Sequence, residues 1–360
     1  MKRFFFSLIA LAAVVTACTE SGLIDTPAFY GNEIIFAPYV GKTPVTKAVS
    51  VDKEYLQGAV ADGGGVQVYA FLRDKDVTDP TQINVTTPYL IAPLTYSDNA
   101  WGYGELAYWP EGKELAFAAY SMNATDCMSN HSETAPTQFD FTVNDVMSEQ
   151  VDLLAIPFKT DVTGNENGDT HVELRFYHLL SRVGFSVQPS EANDDVAITI
   201  KSLKLCGSFP KSGHVDLTKN PAAITPYKGE TDSYASEYSL LAEGETFTIE
   251  STACVEVDAQ QNSKIVSKPI YPNSVATSDA ENRFMMIMPG SVESASIEVV
   301  YQLSGDEERT ARVALNTWNF VPGYAYEFIL KISTAAIQFE ALFGAWGNPA
   351  ETDKDLVPVV

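Results

Sequence analysis

Residues 296–315 read SIEVVYQLSGDEERTARVAL, and this stretch decides the fold class. The apolar residues Ile297, Val299 and Tyr301 stand at every second position, which is the period of a strand with one buried face. Gly305-Asp306 lies where the chain has to turn back. The stretch therefore predicts a β-hairpin, and its apolar face requires a second sheet to cover it.

Short runs of the same kind fill most of the chain. They are rich in aromatic and β-branched residues, and turn-forming clusters separate them. Predicted strands lie at 66–72, 115–122, 138–143, 151–158, 171–180 and 182–189, and more follow up to residue 333. Helical periodicity is limited mainly to one short stretch at 143–150. Many short strands with little helix predict an all-β fold of packed sheets.

A length of 360 residues suggests two domains of ordinary size. The polar stretch TGNENGDT at 163–170 has the composition of a linker or a long hairpin loop. We therefore predict two β-sandwiches in tandem, the first over 18–165 and the second over 166–360.

The N-terminus has the pattern of an export signal. A basic start is followed by the uncharged run 4–15, which is too short to span a bilayer core, a length of roughly 20 residues. The run ends in Val15-Thr16-Ala17-Cys18, which matches a bacterial lipobox. We predict a lipoprotein signal peptide at 1–17 and a lipid, including palmitate, on Cys18 that holds the mature chain to a membrane.

The charge balance excludes several classes of partner. The chain has 23 basic residues against 47 acidic ones, a net charge of −24. Nucleic acids and anionic lipids both require basic patches, so neither is expected as a partner. The four histidines are scattered without a metal-binding spacing, and no nucleophile elbow is present. We expect no catalytic residue, no metal and no cofactor, and therefore no enzyme.

Three cysteines remain besides Cys18, and none has a CxxC spacing. Cys206 and Cys254 both lie in strand-like runs and could pair, whereas buried free thiols are the alternative. His178 falls on the apolar side of 171–180, as a hydrogen-bonded core histidine would. Trp109, followed by proline, is expected to close one end of a core.

Trp101 and Tyr103 form an aromatic pair in the glycine-flanked loop NAWGYGE at 99–105. Such pairs stack on pyranose rings, so these two residues are candidate ligand contacts, with hairpin packing as the alternative. A carbohydrate-binding surface lipoprotein of a polysaccharide uptake system is therefore one functional hypothesis.

A second hypothesis comes from an ordered set of motifs behind the lipobox. The motifs are NEIIFAPYVGKTPVTKAVS (32–50), QVYAFLRD (67–74), AYWPEGKELAFAAYSM (107–122), QVDLLA (150–155), HVELRFYHLLSRVGFSV (171–187), WNFVPGYAYEFILKIS (318–333) and AWGN around Trp346. In this order they resemble the fimbrillin family of anaerobic Gram-negative bacteria.

The resemblance implies a fold and a function. Fimbrillins have two transthyretin-like β-sandwich domains and are exposed as lipoproteins on the outer membrane, where they build a fimbrium, or pilus. Shaft subunits lose an N-terminal strand to a protease, and a strand of a neighbouring subunit fills the groove by donor-strand exchange. The resemblance thus implies other fimbrial subunits as partners, cell adhesion, and a ligand on a host or bacterial surface.

Two departures from the shaft pattern favour a tip, accessory or anchor subunit. No arginine lies between Phe4 and Leu72, so an arginine-specific protease cannot cut there, although a lysine-tolerant protease could cut after Lys47. The tail after Trp346 is acidic and contains two prolines, and proline cannot donate to a β-ladder. We expect strand 32–39 to be paired in the first domain and to cover a hydrophobic groove.

Overall fold

The protein is described by a computed structural model that is nearly all β, as the sequence predicts. The structure describes residues 33–40, 56, 65–98, 100–132, 135–160, 162, 171–191, 196–219, 221–227, 234–272, 283–333, 337–345 and 357–358. Among these residues, no helix has the length and apolar character needed to cross a membrane.

The described strands follow one another along the whole chain. They are β1 (Ile35–Val40), β2 (Val66–Arg73), β3 (Leu90–Ser97), β4 (Ala100–Gly102), β5 (Glu114–Ser121), β6 (Met128–Ser129), β7 (Gln138–Thr142), β8 (Leu154–Ala155), β9 (His171–His178), β10 (Ser181–Pro189), β11 (Ala197–Pro210), β12 (Ser212–Asp216), β13 (Ala223–Pro226), β14 (Tyr234–Ser239), β15 (Phe247–Glu250), β16 (Val255–Val257), β17 (Ser263–Ile265), β18 (Lys268–Pro269), β19 (Met285–Ile287), β20 (Gly290–Leu303), β21 (Arg309–Phe320), β22 (Tyr324–Ile332), β23 (Ile337–Ala345) and β24 (Val357–Pro358). Short 3-10 helices lie at Pro80–Gln82, Met122–Cys127, Met147–Glu149 and Ser251–Cys254. The helix expected at 143–150 is the single turn Met147–Glu149.

A seven-stranded sheet is built in the order β1-β9-β8-β5-β2-β3-β4. Strand β5 is buried along its whole length, which explains the nearly unbroken apolar run of its sequence. One face of the sheet packs into a core of its own that includes Val68, Phe117, Leu174 and Phe176. The end strand β1 belongs to this sheet and contributes to that core.

A four-stranded sheet, in the order β13-β12-β7-β6, packs on the other face of the seven-stranded sheet. Its β7 residue Phe139 meets Tyr120 of β5 with ring centroids 5.2 Å apart. Strand β7 pairs with β12, with Phe139 opposite Val215, so the two halves of the chain share one sheet.

This topology bears on the predicted join at 165/166. Strand β9 lies after the join, yet it pairs with β1 and β8 of the first sheet. Strand β7 lies before the join and pairs with β12 from the second half. Local sequence patterns carry no information on either pairing, and the division into two tandem sandwiches stays a prediction.

The second half forms two further sheets that face each other. The six-stranded sheet has the order β18-β10-β22-β23-β24, with β19 also on β10, and the five-stranded sheet has the order β14-β11-β20-β21, with β15 on β11. Trp318 of β21 lies 5.6 Å from Phe328 of β22, and Phe320 lies 5.2 Å from Tyr326, measured between ring centroids. The two sheets therefore share an aromatic core, as in a β-sandwich.

The hairpin predicted at 296–315 is confirmed as β20 and β21. Ile297 pairs with Val313 and Val299 with Ala311, and the chain turns at Gly305 with a φ of 77°. Ile297 and Val299 are fully buried, as the alternation requires.

The three cysteines after Cys18 are free thiols, so Cys206 and Cys254 do not pair. Cys254 is buried in the 3-10 helix Ser251–Cys254, whereas Cys206 is partly buried in β11. Burial raises the pKa of each of the three thiols, which keeps them protonated near neutral pH.

Candidate functional site

The segment predicted as the exchangeable strand is β1, at one end of the seven-stranded sheet. It pairs with β9 in parallel, with Ile35 opposite His171 and Val40 opposite Phe176. The two strands are distant in sequence, so β1 is attached to the sheet by backbone hydrogen bonds and side-chain packing. The expectation that this strand is paired is confirmed, but its partner β9 lies beyond residue 165, outside the predicted first domain.

Three apolar side chains anchor β1 in the core of the seven-stranded sheet. Ile34, Phe36 and Val40 all point inward and are buried. The Phe36 ring meets Phe117 edge-on with centroids 5.8 Å apart, and Tyr103 with centroids 5.5 Å apart. Burying three side chains of this size contributes roughly 5 to 9 kcal/mol. These side chains share one apolar core with those of β9, so β1 covers part of that core.

The far edge of β1 is fastened at its beginning. The N–H of Ile34 donates to the carbonyl of Ala107 at 2.9 Å, and Glu33 forms an isolated bridge with Tyr108. From residue 35 to residue 40 this edge has no ladder partner among the described residues. Pro38, which lacks an N–H, lies in the middle of the strand, as is usual for proline at a sheet edge.

Trp101 and Tyr103, the candidate ligand contacts, both make contacts within the protein. The hydroxyl of Tyr103 donates to the carbonyl of Ile34 at 2.6 Å and accepts from the N–H of Ala107. Burial raises the pKa of Tyr103. Trp101 in β4 is partly buried and meets Tyr96 with centroids 5.3 Å apart. Tyr103 therefore fastens β1, and a role of this pair in sugar binding stays a prediction.

Two residues expected in the core lie there. Trp109 is 6% exposed and meets Phe117 edge-on, which closes one end of the core as predicted. His178 is buried, and its Nδ1 lies 2.5 Å from a carboxylate oxygen of Asp152. The prediction of a hydrogen-bonded core histidine is thus confirmed.

The C-terminal tail ends on the chain's own sheet. Strand β24 pairs antiparallel with β23, with Ala341 opposite Val357. This pairing occupies the edge of the six-stranded sheet with a segment of the same chain.

Two predicted sites lie outside the described residues. These are the lipid attachment at Cys18 and the cleavage position at Lys47. Within the described part of the chain, no group of histidine, cysteine and acidic residues is arranged to hold a metal ion.

A cleft that no sequence motif indicates lies on the outer face of β1 and β9. It has a volume of about 400 Å³. Its main polar lining residues are Tyr39, Lys159, Glu173, Arg175 and Tyr177. The strand period places the last three on one face, but the other wall comes from β1 and from residues 156–160, which no local pattern predicts.

Comparison with known proteins agrees with the fold. A family model described as fimbrillin-like matches residues 46–346. No curated protein matches the chain. A fimbrial protein from Bacteroides vulgatus has 16% sequence identity and a TM-score of 0.61, over 88% of this chain and 100% of its own.

Two further solved structures are more distant. A putative cell adhesion protein from Bacteroides ovatus has 13% identity and a TM-score of 0.47, over 89% of this chain and 99% of its own. The tip fimbrial protein Mfa3 from Porphyromonas gingivalis has 9% identity and a TM-score of 0.35, over 78% of this chain and 94% of its own.

Proposed function

Because the chain belongs to the fimbrillin-like family, we propose that it is a cell-surface fimbrial adhesion subunit that joins other subunits by exchange of β1. The family is structural, which fits a protein without enzyme activity.

The single observation that supports strand exchange is the attachment of β1. An end strand that is held by ladder bonds to one neighbour and by Ile34, Phe36 and Val40 can be replaced by a strand with equivalent side chains. The groove left behind offers unpaired backbone groups along β9 together with apolar pockets, and an incoming strand satisfies both.

A tip, accessory or anchor position is favoured over a shaft position. Lys42, Lys47 and Lys53 are the basic residues between Phe4 and Leu72, so an arginine-specific cut cannot release β1 there. The tail is a poor donor because of its prolines, and its end pairs with β23 of the same chain. Both features suit a subunit that ends a fibre or sits beside it.

Attachment to the outer membrane is proposed to occur through a lipid on Cys18. The lipobox at 15–18 supports this proposal, and fatty acyl chains gain about 0.8 kcal/mol per buried CH₂ group. Mass spectrometry of the protein extracted from membranes should find the N-terminal peptide acylated, and Cys18→Ala should release the chain from membranes. An unmodified peptide in the membrane fraction would contradict it.

The test of strand exchange is a cut after Lys47 of the purified mature chain. We expect the cut protein to polymerise, or to bind a synthetic peptide with the sequence of residues 32–40, because the released groove is apolar. Size-exclusion chromatography with light scattering measures the first outcome and fluorescence anisotropy of the labelled peptide the second.

The control is the same peptide with serine in place of Phe36 and Val40. It keeps the backbone donors and acceptors but loses the buried anchors, so it should bind at least tenfold more weakly, since each lost anchor costs about 1.5 kcal/mol or more. A cut protein that remains monomeric and binds neither peptide would refute strand exchange at β1.

A further inference from the structure

Strands β1 and β9 run in the same direction, which determines how a pull along the chain reaches them. Ile35 pairs with His171 and Val40 with Phe176, so six residue pairs lie side by side. The chain enters β1 at the Ile35 end and leaves β9 at the opposite end, at His178. A pull between the N-terminal side and the second half of the chain therefore acts along the two strands in opposite senses.

This parallel arrangement places the ladder between β1 and β9 in shear. The hydrogen bonds between two strands share a pull along the strand axis, and the strands separate only when these bonds break together. In an antiparallel pair that is connected in the same way, both pulled ends would lie at one end of the ladder, and its bonds would break one after another. Because forced unfolding is governed by the rate of unfolding, the arrangement that requires several bonds to break at once withstands more force.

Only two pairs of neighbouring strands in the described part of the chain are parallel, β1–β9 and β10–β22. Strand β22 continues into β23, which runs back, so Ala345 lies opposite Tyr324 at the beginning of β22. A pull from the C-terminal side would therefore separate β23 from β22 one residue pair at a time before it acted along β22. Among the described strands, β1–β9 is thus the parallel pair that a pull on the chain places directly in shear.

Further bonds hold β1 at the end where a pull from the N-terminal side arrives. The N–H of Ile34 donates to the carbonyl of Ala107 at 2.9 Å, and the carbonyl of Ile34 accepts from the hydroxyl of Tyr103 at 2.6 Å. Glu33 forms an antiparallel bridge with Tyr108, and the side chain of Ile34 is fully buried. These contacts precede the ladder along the chain, so the pull meets them before it meets the pairs of β1 and β9.

From this topology we infer that the pair β1–β9 is a mechanical clamp, and that resisting tension between the N-terminal side and the second half is a further function of the chain. The clamp consists of the bonds at residues 33–34 and the six ladder pairs of β1. The inference rests on the proposed cell-surface role for its biological purpose, because a lipid on Cys18 would hold one end of the chain while an attached surface pulls on the other. It does not depend on strand exchange.

Resistance to tension is compatible with the proposed replacement of β1 by another strand. An incoming strand can displace β1 one residue pair at a time from one end, and each step exchanges hydrogen bonds for equivalent ones. Tension along β1 has to break all six pairs together. The same ladder is therefore slow to break under a pull and still open to a competing strand.

The test pulls the full mature chain, with Cys18→Ser to leave out the lipid, between two DNA handles in optical tweezers. The shear variant, Asn32→p-azidophenylalanine with Tyr177→p-azidophenylalanine, carries the handles at opposite ends of the pair β1–β9. The peeling variant, Lys42→p-azidophenylalanine with the same change at Tyr177, carries both handles at one end, since Lys42 follows Val40 by two residues. Tyr177 is 37% exposed and the analogue keeps its ring, so both variants should fold.

The shear variant should require at least about twice the force of the peeling variant at the same pulling speed, because six ladder pairs share the force. Equal forces, or a lower force for the shear variant, would overturn the inference.

Tyr103→Phe tests the bonds at the beginning of β1. It removes one hydrogen bond to Ile34, so β1 of the shear variant should detach about two- to tenfold faster at constant force. In the peeling variant the strands open first at Val40, at the other end of β1, and the force of this first step should not change. Tyr96→Phe, which keeps the ring beside Trp101, is the control. An unchanged rate in the shear variant, or an equal acceleration in both variants, would overturn the inference.

Failure of this inference differs from failure of strand exchange. The pulling experiment uses an uncut monomer in which β1 is in place at the start. A high force in the shear variant, without polymerisation or peptide binding after the cut, would leave the clamp intact and refute exchange, whereas the reverse result would refute the clamp alone.

Discussion

Two parallel strand pairs of the same molecule differ in how they are held. Strand β1 pairs with β9 at the end of its sheet, and its far edge has no ladder partner among the described residues from 35 to 40. Strand β22 pairs in parallel with β10 and also antiparallel with β23 over its whole length. The same parallel pairing thus has one free edge at β1 and none at β22, and the position in the sheet decides which strand we propose to exchange.

The outer faces of the two pairs differ as well. Beside β10, Phe284 packs over Gly184, and the guanidinium groups of Arg182 and Arg283 each lie 4.2 Å from its ring centroid. Arg283 also pairs with Glu327 at 2.9 Å. Beside β9 the described residues leave a cleft of about 400 Å³ on the corresponding face. The outer face of the β10 pair is therefore covered by its own side chains, whereas the described residues do not fill that of the β9 pair.

The largest expected loss of stability comes from a substitution in the buried centre of the pair β10–β22. Phe328→Ala removes a ring that packs on Phe185 and Trp318, which should lower the free energy of unfolding by about 3 to 5 kcal/mol. Phe36→Ala should cost less, because the open edge lets β1 detach without unfolding the sheet. Urea denaturation measures both, and equal losses would mean that β1 is as fixed as β22.

The second largest loss of stability is expected on the outer face of β10, which Phe284 covers. A Cβ at Gly184 would lie 2.5 Å from a ring carbon of Phe284 and 2.8 Å from Oε2 of Glu327. Gly184→Ala should therefore destabilise the protein by about 1 to 3 kcal/mol through overpacking. Gly104→Ala, where a Cβ would meet nothing within 4 Å, is the matched control. Equal thermal stability of the two variants would show that the outer face of β10 is not tightly packed.

A smaller loss of stability is expected when the hydrogen bond that holds the beginning of β1 is removed. Tyr103→Phe removes the hydrogen bond to the carbonyl of Ile34 and should lower stability by about 0.5 to 1.5 kcal/mol. The loss should appear as faster hydrogen exchange of the β1 amides, with little change in β22. Tyr96→Phe, which keeps the ring beside Trp101, is the control. Unchanged exchange in β1 would show that packing alone holds the strand.

The smallest expected effect is a dependence of the free energy of unfolding on pH. Burial raises the pKa of Glu327 above its ordinary value of 4.5, against the opposing influence of Arg283 and Ser186. The folded state therefore holds this proton more tightly than the unfolded state, and its contribution is complete below pH 4.5 and is lost as the pH rises through the raised pKa. Glu327→Gln should remove this part of the slope in urea midpoints measured upward from pH 4.5. Glu307→Gln in the β20–β21 turn is the control, and a slope that persists in Glu327→Gln would place the titration elsewhere.

Local patterns explain which parts of the fold could be predicted. The hairpin at 296–315 follows from alternation and from Gly305, both contained in one stretch of chain. The burial of Trp109 and of His178 likewise followed from neighbouring residues. The strand predicted at 32–39 is β1 at Ile35–Val40, and its role in exchange, which the family resemblance implies, stays a prediction.

The remaining parts depend on contacts between distant residues. The partner of β1 is β9, and the partner of β7 is β12, and neither pairing leaves a trace in local periodicity. The cleft around Arg175 was missed for the same reason, since its two walls lie far apart in the sequence. The strand period places Arg175 outward with Tyr177, but no local pattern places β1 or residues 156–160 beside them.

Pro38 in the middle of β1 has a consequence for how subunits can join. Because proline has no N–H, the row of donors along this strand is interrupted at its centre. A foreign strand that lines up beside β1 therefore meets an incomplete row of donors. Under the proposed strand exchange, Pro38 would favour end-to-end substitution over sideways stacking of sheets into amyloid-like aggregates.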